Sequence, residues 1–262
     1  MEGQIMERRK IKDICLTCIS LIALVVLWVI VSNSKPDFFP TPQAAWERFV
    51  KMAEKPISKT TIMGHIWISL KRVLTALVLA VFSGIGIGLI MGWSKKVNAV
   101  LSPILTALRP IPPIAWIPLV ILWFGVGEFS KVLLVFIGAF FPVVLNTATG
   151  VSMVDPMYLN VGRVYNANTF QMLRHVVMPA ALPAVMAGVK IALSSGWMVV
   201  VAAEMIASKS GLGFLITRGN ESYDVALVLC GMILIGLVGA VLSAVFTLME
   251  RWLCPWTEKK NG

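Results

Sequence analysis

The sequence predicts an all-α membrane protein with six transmembrane helices, and its composition, apolar runs and charge distribution support that fold class. Of its 262 residues, 58% are hydrophobic and 14% are charged. Soluble domains are usually about 45–50% apolar and about 25% charged. Apolar runs of about 20 residues, the length that crosses the hydrocarbon core, recur along the chain. A basic cluster at Arg8, Arg9, Lys10 and Lys12 precedes the first run, which favours a cytoplasmic N-terminus.

The predicted spans divide the chain into three parts. Residues 1–13 form a cytoplasmic N-terminus, 14–252 a transmembrane domain and 253–262 a cytoplasmic tail. The spans are expected at about 14–33, 70–93, 111–126, 131–151, 180–204 and 225–249. Six spans place both termini in the cytoplasm. Lys and Arg are more frequent in the segments assigned to the cytoplasm, although the excess is small.

Two features that suggest other functions have membrane explanations. The net charge of +10 fits basic loops beside anionic lipid headgroups, and no nucleic-acid-binding motif accompanies it. Cys15 and Cys18 have the spacing of a redox or metal pair, but no second pair or nearby His completes a site. We expect these two cysteines to pack between helices.

A short amphipathic helix is predicted after the first span. Thr41 is a suitable N-cap and Pro42 a suitable first helical residue. The segment that follows mixes aromatic and charged residues, which favours a helix in the outer membrane interface.

Small residues and prolines give the next two spans a packing role and an irregular shape. Gly84, Gly88 and Gly92 recur every four residues in the second span and predict close approach to another helix. The third span opens with four prolines, at positions 110, 112, 113 and 118. Prolines free backbone carbonyls, so this stretch is expected to be buried in protein or to border a water-filled path.

Polar residues form a stripe along the fifth span. Lys190, Ser194, Trp197 and Glu204 recur at helical spacing, and Lys190 and Glu204 are about 21 Å apart along the axis. Ionisable residues inside a span usually face the bundle interior or an aqueous path. We predict that these four residues line a translocation path, with an alternative in which Lys190 reaches the interface and Glu204 lies in the outer interface.

The segment 152–179 predicts a pair of short helices on the cytoplasmic face. Asp155 and Pro156 begin a helix, Asn166 ends it in the left-handed conformation, and Asn168 with Gln171 caps a second helix that Pro179 ends. Phe170 and Leu173 contribute an apolar face to the second helix. We expect this face to enter a groove on a partner, although packing on its own bundle is the alternative.

Several motifs resemble the permease subunits of ABC importers. The cytoplasmic loop of that family has the form E-A-A, three residues, G, nine residues, I-x-L-P. Residues 160–179 match this spacing, with Asn160, Asn166 and Met178 in place of Glu, Gly and Leu. The runs 108–119, 123–128, 178–183, 201–204 and 210–214 resemble the branch that carries taurine, alkanesulfonates and nitrate. The same branch includes carriers of vitamin-precursor and other heterocyclic solutes.

The resemblance implies a type I ABC importer permease fold with a coupling-helix pair, in the inner (cytoplasmic) membrane. It implies two ATP-binding subunits, a second permease copy that forms a homodimer with this one, and an extracytoplasmic binding protein that delivers a small anionic or heterocyclic solute. The residues implied to dock the ATPase are Asn160, Gly162, Tyr165, Asn166, Phe170 and Leu173. ATP and Mg²⁺ belong to the partner, because this chain lacks a G-x-x-x-x-G-K-[ST] phosphate loop.

The alternatives to an importer subunit are an ATP-independent transporter or channel and a membrane-embedded enzyme. A secondary transporter or channel would work without ATP and would need no cytoplasmic docking segment. A membrane-embedded enzyme would need a catalytic constellation, and the sequence has no H-E-x-x-H motif or paired intramembrane aspartates.

Overall fold

A computed structural model describes residues 16, 19, 20, 22–34 and 39–256. Within them, all regular structure is helical except for one isolated bridge between Ile57 and Thr60. The predicted all-α fold is therefore confirmed. The cysteine pair at Cys15 and Cys18 and the N-terminal basic cluster lie outside the described residues, as does most of the predicted tail.

Eleven labelled helices follow one another along the described chain. They are α1 (Ile22–Ser34), α2 (Pro42–Glu54), α3 (Ile62–Trp93), α4 (Lys95–Leu108), α5 (Ile117–Phe124), α6 (Glu128–Ser152), α7 (Pro156–Val164), α8 (Thr169–Met172), α9 (Met178–Ala207), α10 (Leu212–Glu221) and α11 (Val225–Leu253). A 3₁₀ turn (Pro113–Trp116) precedes α5, and a π-helical turn (Leu173–Val177) joins α8 to α9.

Four of the described helices are long and apolar enough to cross a membrane. They are α3, α6, α11 and the continuous run Thr169–Ile206 that contains most of α9. The pair Lys95–Leu108 and Pro113–Phe124 makes a fifth if it counts as one broken span. The described part of α1 is shorter, so the sixth span stays a prediction.

The predicted third span is bent where we expected a single crossing over 111–126. An angle of 85° separates α4 from the segment Pro113–Phe124. The bend follows from the prolines, which lack the N–H that an α-helix requires and disfavour helical geometry in the preceding residue. Only Ile117–Phe124 of the expected span is α-helical.

Pro179 does not end the second short helix of the segment 152–179, contrary to our prediction. The chain passes through the π turn directly into α9, with the N–H of Met178 donating to the carbonyl of Leu173. Pro179 then occupies the first turn of α9, where a missing N–H costs little. The second helix of the α7–α8 pair is therefore continuous with a helix that is long and apolar enough to cross a membrane.

The three helices α3, α6 and α9 form the centre of the bundle, with α6 in the middle. A Cβ added to Gly88 would lie 2.6 Å from the carbonyl oxygen of Val144, and one added to Gly92 would lie 2.5 Å from Val151 Cβ. This confirms the predicted packing role of the α3 glycines. On the α9 side, a Cβ on Gly188 would lie 2.7 Å from Asn146 Cβ. Small residues thus let both neighbours approach α6 closely.

The predicted short helix after the first span is present as α2. Thr41 Oγ1 accepts a hydrogen bond from the N–H of Ala44 at 3.2 Å, and Pro42 is the first helical residue. Arg48 Nε lies 2.6 Å from Asp224 Oδ2, directly before α11. This ion pair holds α2 against the start of α11.

Candidate functional site

The short helix pair α7–α8 has the local geometry that the sequence predicts. Asp155 Oδ1 accepts a hydrogen bond from the N–H of Met157 at 2.8 Å and caps α7. Asn166 has φ of 52°, the left-handed conformation that reverses the chain. Asn168 and Gln171 form a reciprocal capping box at the start of α8. These local hydrogen bonds fix the angle between the two helices.

The six predicted docking residues divide into an exposed and an internal set. The exposed members are Asn160, Tyr165, Asn166 and Phe170, with Tyr165 82% and Phe170 67% exposed. Gly162 is buried, and a Cβ there would lie 2.7 Å from Met172 Sδ. Leu173 packs against the small core that includes Val151 and Val177. Gly162 and Leu173 therefore hold the pair together, while the aromatic side chains face outward.

A buried polar network lies at the opposite end of the bundle. The side chain of Glu204 is 0% exposed. Its carboxylate accepts hydrogen bonds from Arg72 Nη1 at 2.7 Å, Ser69 Oγ at 2.8 Å and the N–H of Gly213 at 3.0 Å. A buried carboxylate is stable only when several donors satisfy it, and this one has three.

Arg72 extends this network from α9 to α6. Its guanidinium donates to Glu128 through Nε at 2.7 Å and through Nη2 at 2.5 Å, in a bidentate arrangement. Nη1 also donates to the carbonyl of Ser210 at 3.0 Å, and Lys131 Nζ lies 3.1 Å from Glu128 Oε1. One arginine therefore connects α3, α6, α9 and the loop before α10.

The loop before α10 completes the network with backbone groups. The N–H of Gly211 donates to His65 Nδ1 at 3.0 Å, and the N–H of Leu212 donates to Ser69 Oγ at 2.9 Å. Gly211 has φ of 110°, and a side chain there would meet the Glu204 carboxylate. A Cβ on Gly213 would meet the carbonyl oxygen of Val201. Both glycines are required by this close approach.

Sequence reasoning singled out Glu204 but missed its partners. His65, Ser69 and Arg72 are spaced four and three residues apart on α3, so they share one helix face. The side chain of Arg72 is 3% exposed, so the polar face of α3 is turned into the bundle. The helical spacing of these three polar residues, together with a carboxylate that needs donors, is the signal that could have identified them.

The four predicted path residues of α9 lie in different surroundings. Lys190 Nζ lies 3.3 Å from Glu250 Oε2 of α11 and is half-exposed. Ser194 is exposed, and Trp197 is buried with its Nε1 donating to the carbonyl of Ile235 at 3.2 Å. Glu204 is enclosed by the network. On the single chain, Ser194 and part of Lys190 are accessible, while the other two residues join α9 to its neighbours.

The described residues contain no group of three or more His, Cys, Asp or Glu side chains arranged to hold a metal ion. The polar clusters of this part of the chain are ion pairs and hydrogen bonds between helices. Their arrangement can fasten helices to one another and can present surfaces to partners.

Comparisons with known proteins agree with this architecture. Residues 84–259 match the family model described as "Binding-protein-dependent transport system inner membrane component". The chain is 34% identical to the taurine transport system permease protein TauC of Escherichia coli (strain K12), covering 94% of this chain and 90% of that protein. It is 33% identical to the putative aliphatic sulfonates transport permease protein SsuC of Bacillus subtilis (strain 168), covering 91% and 86%.

A third relative and a solved structure extend the comparison. The bicarbonate transport system permease protein CmpB of Synechococcus elongatus is 31% identical, covering 94% of this chain and 91% of that protein. The fold resembles a chain of the MetNI methionine ABC transporter with a TM-score of 0.65 and 16% identity, covering 79% of this chain and 98% of that one. The chain belongs to the family of binding-protein-dependent transport system inner membrane components, the permease subunits of ABC importers, which are not themselves enzymes.

Proposed function

We propose that this permease forms the translocation path of an ATP-driven importer for a small anionic solute of the sulfonate or bicarbonate class. The relatives named above carry taurine, aliphatic sulfonates and bicarbonate, which share an oxyanion group. Two copies of the chain would pair in the inner membrane, each with six spans and cytoplasmic termini. A heterocyclic solute is the second candidate within the same class of importer.

The observation that carries the coupling proposal is the exposed aromatic surface of the helix pair. Tyr165 and Phe170 project from a pair whose ends are capped and whose interior is closed by the contact between Gly162 and Met172. A rigid element that exposes large apolar side chains is typical of a protein interface. We assign this surface to an ATP-binding subunit, one for each permease copy, which would hold ATP and Mg²⁺.

The connection to α9 gives the helix pair a means to transmit movement. Thr169–Ile206 is one continuous helical run, so displacement of α8 moves the cytoplasmic end of α9. Glu204 lies 26 residues after Met178, or about 39 Å along the helix. ATP-driven closure of the partner subunits would in this way change the helix packing at both ends of the path. The path would then open to one side of the membrane at a time, which is alternating access.

At the outer end, the Glu204 network is proposed to keep the path closed until that movement occurs. It fastens α3, α6 and α9 to one loop through buried charges. A buried charge that loses its partner is costly, so separating these helices would need an input of energy, which we assign to the nucleotide-driven cycle. An extracytoplasmic binding protein would deliver the solute on this side, and Lys190 and Ser194 would face the path farther inward.

The experiment that tests the proposed function replaces Phe170 with Asp. The complete transporter, reconstituted with its ATPase and binding protein, is expected to lose transport and solute-stimulated ATP hydrolysis, because a charge in an apolar contact costs several kcal/mol. The matched control is Tyr223→Asp, since Tyr223 is 93% exposed and lies at the α10–α11 turn. Coupling that survives Phe170→Asp would contradict the assignment.

The same preparation separates an importer subunit from an ATP-independent transporter or channel. We expect an ATP-binding polypeptide to co-purify with the unchanged chain and to be lost with Phe170→Asp. Solute flux through the chain alone, independent of ATP, would favour the alternative.

A further inference from the structure

We propose that Arg109 is the principal residue that binds the anionic group of the solute, in a polar pocket on the cytoplasmic half of the path. This inference rests on the proposed function and adds the site that recognises the solute's charge.

The pocket lies beside α6, within the length of a membrane-spanning helix. Arg109 lines a cavity of about 230 Å³ together with Pro142, Leu145, Asn146, Thr149 and Ile191. Asn146 is 18 residues from the outer end of α6 and six from its cytoplasmic end, or about 27 Å and about 9 Å along the helix. The bend after α4 places Arg109 beside α6, within the length of a membrane-spanning helix.

The positive charge of Arg109 has no counter-ion among the residues that the structure describes. Its side chain makes no hydrogen bond or ion pair with any residue that the structure describes, and it alone carries a charge among the residues that line the cavity. Lys190, by contrast, is paired with Glu250. A guanidinium at membrane depth is costly unless it faces water, protein or a counter-ion, so an exposed and unpaired one favours a path over lipid.

The remaining groups of the pocket suit an oxyanion. Asn146 Nδ2 donates to the carbonyl of Pro142 at 2.8 Å, which orients the amide and leaves its second N–H free. Thr149 is exposed and its hydroxyl has no bonded partner within the part of the chain that the structure describes. Prolines at 110, 112 and 113 remove backbone donors from the turn. Side-chain donors would therefore bind the anion. The planar guanidinium can donate two parallel hydrogen bonds to a sulfonate or a carboxylate-like group.

The proposal is tested by the reactivity of a cysteine placed inside the pocket. Thr149→Cys is made in a background without native cysteines and assembled into the complete transporter. It is treated with two thiol reagents of similar size, the anionic 2-sulfonatoethyl and the cationic 2-trimethylammonioethyl methanethiosulfonate. Each rate is divided by that of the same reagent with a free thiol, in the absence and presence of ATP.

We expect the anionic reagent to be favoured by about tenfold, because a positive charge a few ångströms away attracts the anionic reagent and repels the cationic one. Arg109→Gln should abolish this preference and Arg109→Lys should keep part of it. Lys96→Gln, which removes a charge about 20 Å away on the same helix, is the matched control and should change nothing. A preference that persists in Arg109→Gln would overturn the proposal, as would a cysteine that stays unreactive in every nucleotide state.

A second measurement leaves Arg109 unchanged, so it remains decisive if Arg109→Gln does not assemble. Ethanesulfonate should slow the labelling of Thr149→Cys by neutral N-ethylmaleimide severalfold, whereas its uncharged analogue ethanesulfonamide should not. Equal protection by both compounds, or by neither, would contradict an anion site. Because these assays do not measure ATP coupling, their failure is distinguishable from failure of the Phe170→Asp experiment.

Discussion

The two ends of the bundle differ in whether their side chains find partners within the chain. At one end, the buried Glu204 carboxylate has three donors, and its charge is balanced within the chain. At the other end, Tyr165 and Phe170 expose most of their apolar surface although the backbone that carries them is fully capped. In the first region the polar groups are satisfied within the chain. In the second region the backbone is held by local caps, but the aromatic side chains remain exposed. The chain itself fastens the first end, and the proposed function assigns control of the second end to another protein.

The comparison predicts its largest effect where one member of the buried network is removed. Arg72→Met leaves the Glu204 carboxylate buried without its cationic partner, which should destabilise the protein by about 3–5 kcal/mol. Thermal unfolding in detergent measures this as a lower midpoint. Replacing both residues, as Arg72→Met with Glu204→Leu, should cost less than the sum of the single changes. Additive costs would show that the two side chains do not act as a unit.

A smaller loss is expected where the loop before α10 approaches Glu204. Gly213→Ala places a Cβ against the carbonyl of Val201, and overpacking of this kind typically costs about 1–3 kcal/mol. Gly86→Ala on α3 is the control, because a Cβ there meets nothing within 4 Å. It should stabilise the protein by about 0.5–1 kcal/mol, since alanine favours the helix. Equal unfolding midpoints for both variants would contradict the tight fit.

The smallest effect on stability is expected at the exposed aromatic surface. Tyr165→Ala and Phe170→Ala should each change the free energy of unfolding by no more than about 0.5 kcal/mol, because their side chains face outward. Solute-stimulated ATP hydrolysis should nevertheless fall in the complete transporter. A large loss of stability in the isolated permease would show that these side chains pack against their own chain instead.

The two ends also differ in how well sequence predicted them. The caps at Asp155 and Asn168 were predictable, because each side chain bonds backbone two or three residues away. The turn at Asn166 was predictable because asparagine tolerates the left-handed conformation. The pair between Arg72 and Glu204 joins residues 132 positions apart, and no local pattern specifies such a partner. Sequence therefore predicted the caps and the turn of the α7–α8 pair but only one member of the buried network.

The bent third span and the continuous α9 show a second limit of local rules. Prolines predicted an irregular third span, but not that its bend would carry Arg109 to the side of α6. Pro179 predicted a helix end, and the π turn before it allowed the helix to continue. In both places the outcome depends on neighbouring helices that stabilise an unusual backbone, which a single segment does not reveal.

The most direct test of the account is the accessibility of Ser194→Cys in the complete transporter. Ser194 is exposed on α9 between the buried network and the α7–α8 pair, so its reactivity would report which end of the proposed path is open. A membrane-impermeant thiol reagent is applied from either side of proteoliposomes, with and without a non-hydrolysable ATP analogue. We predict that nucleotide transfers the reactivity from the cytoplasmic to the outer side, and that Phe170→Asp abolishes the transfer. Reactivity that is independent of nucleotide on both sides would contradict ATP-coupled alternating access through this chain.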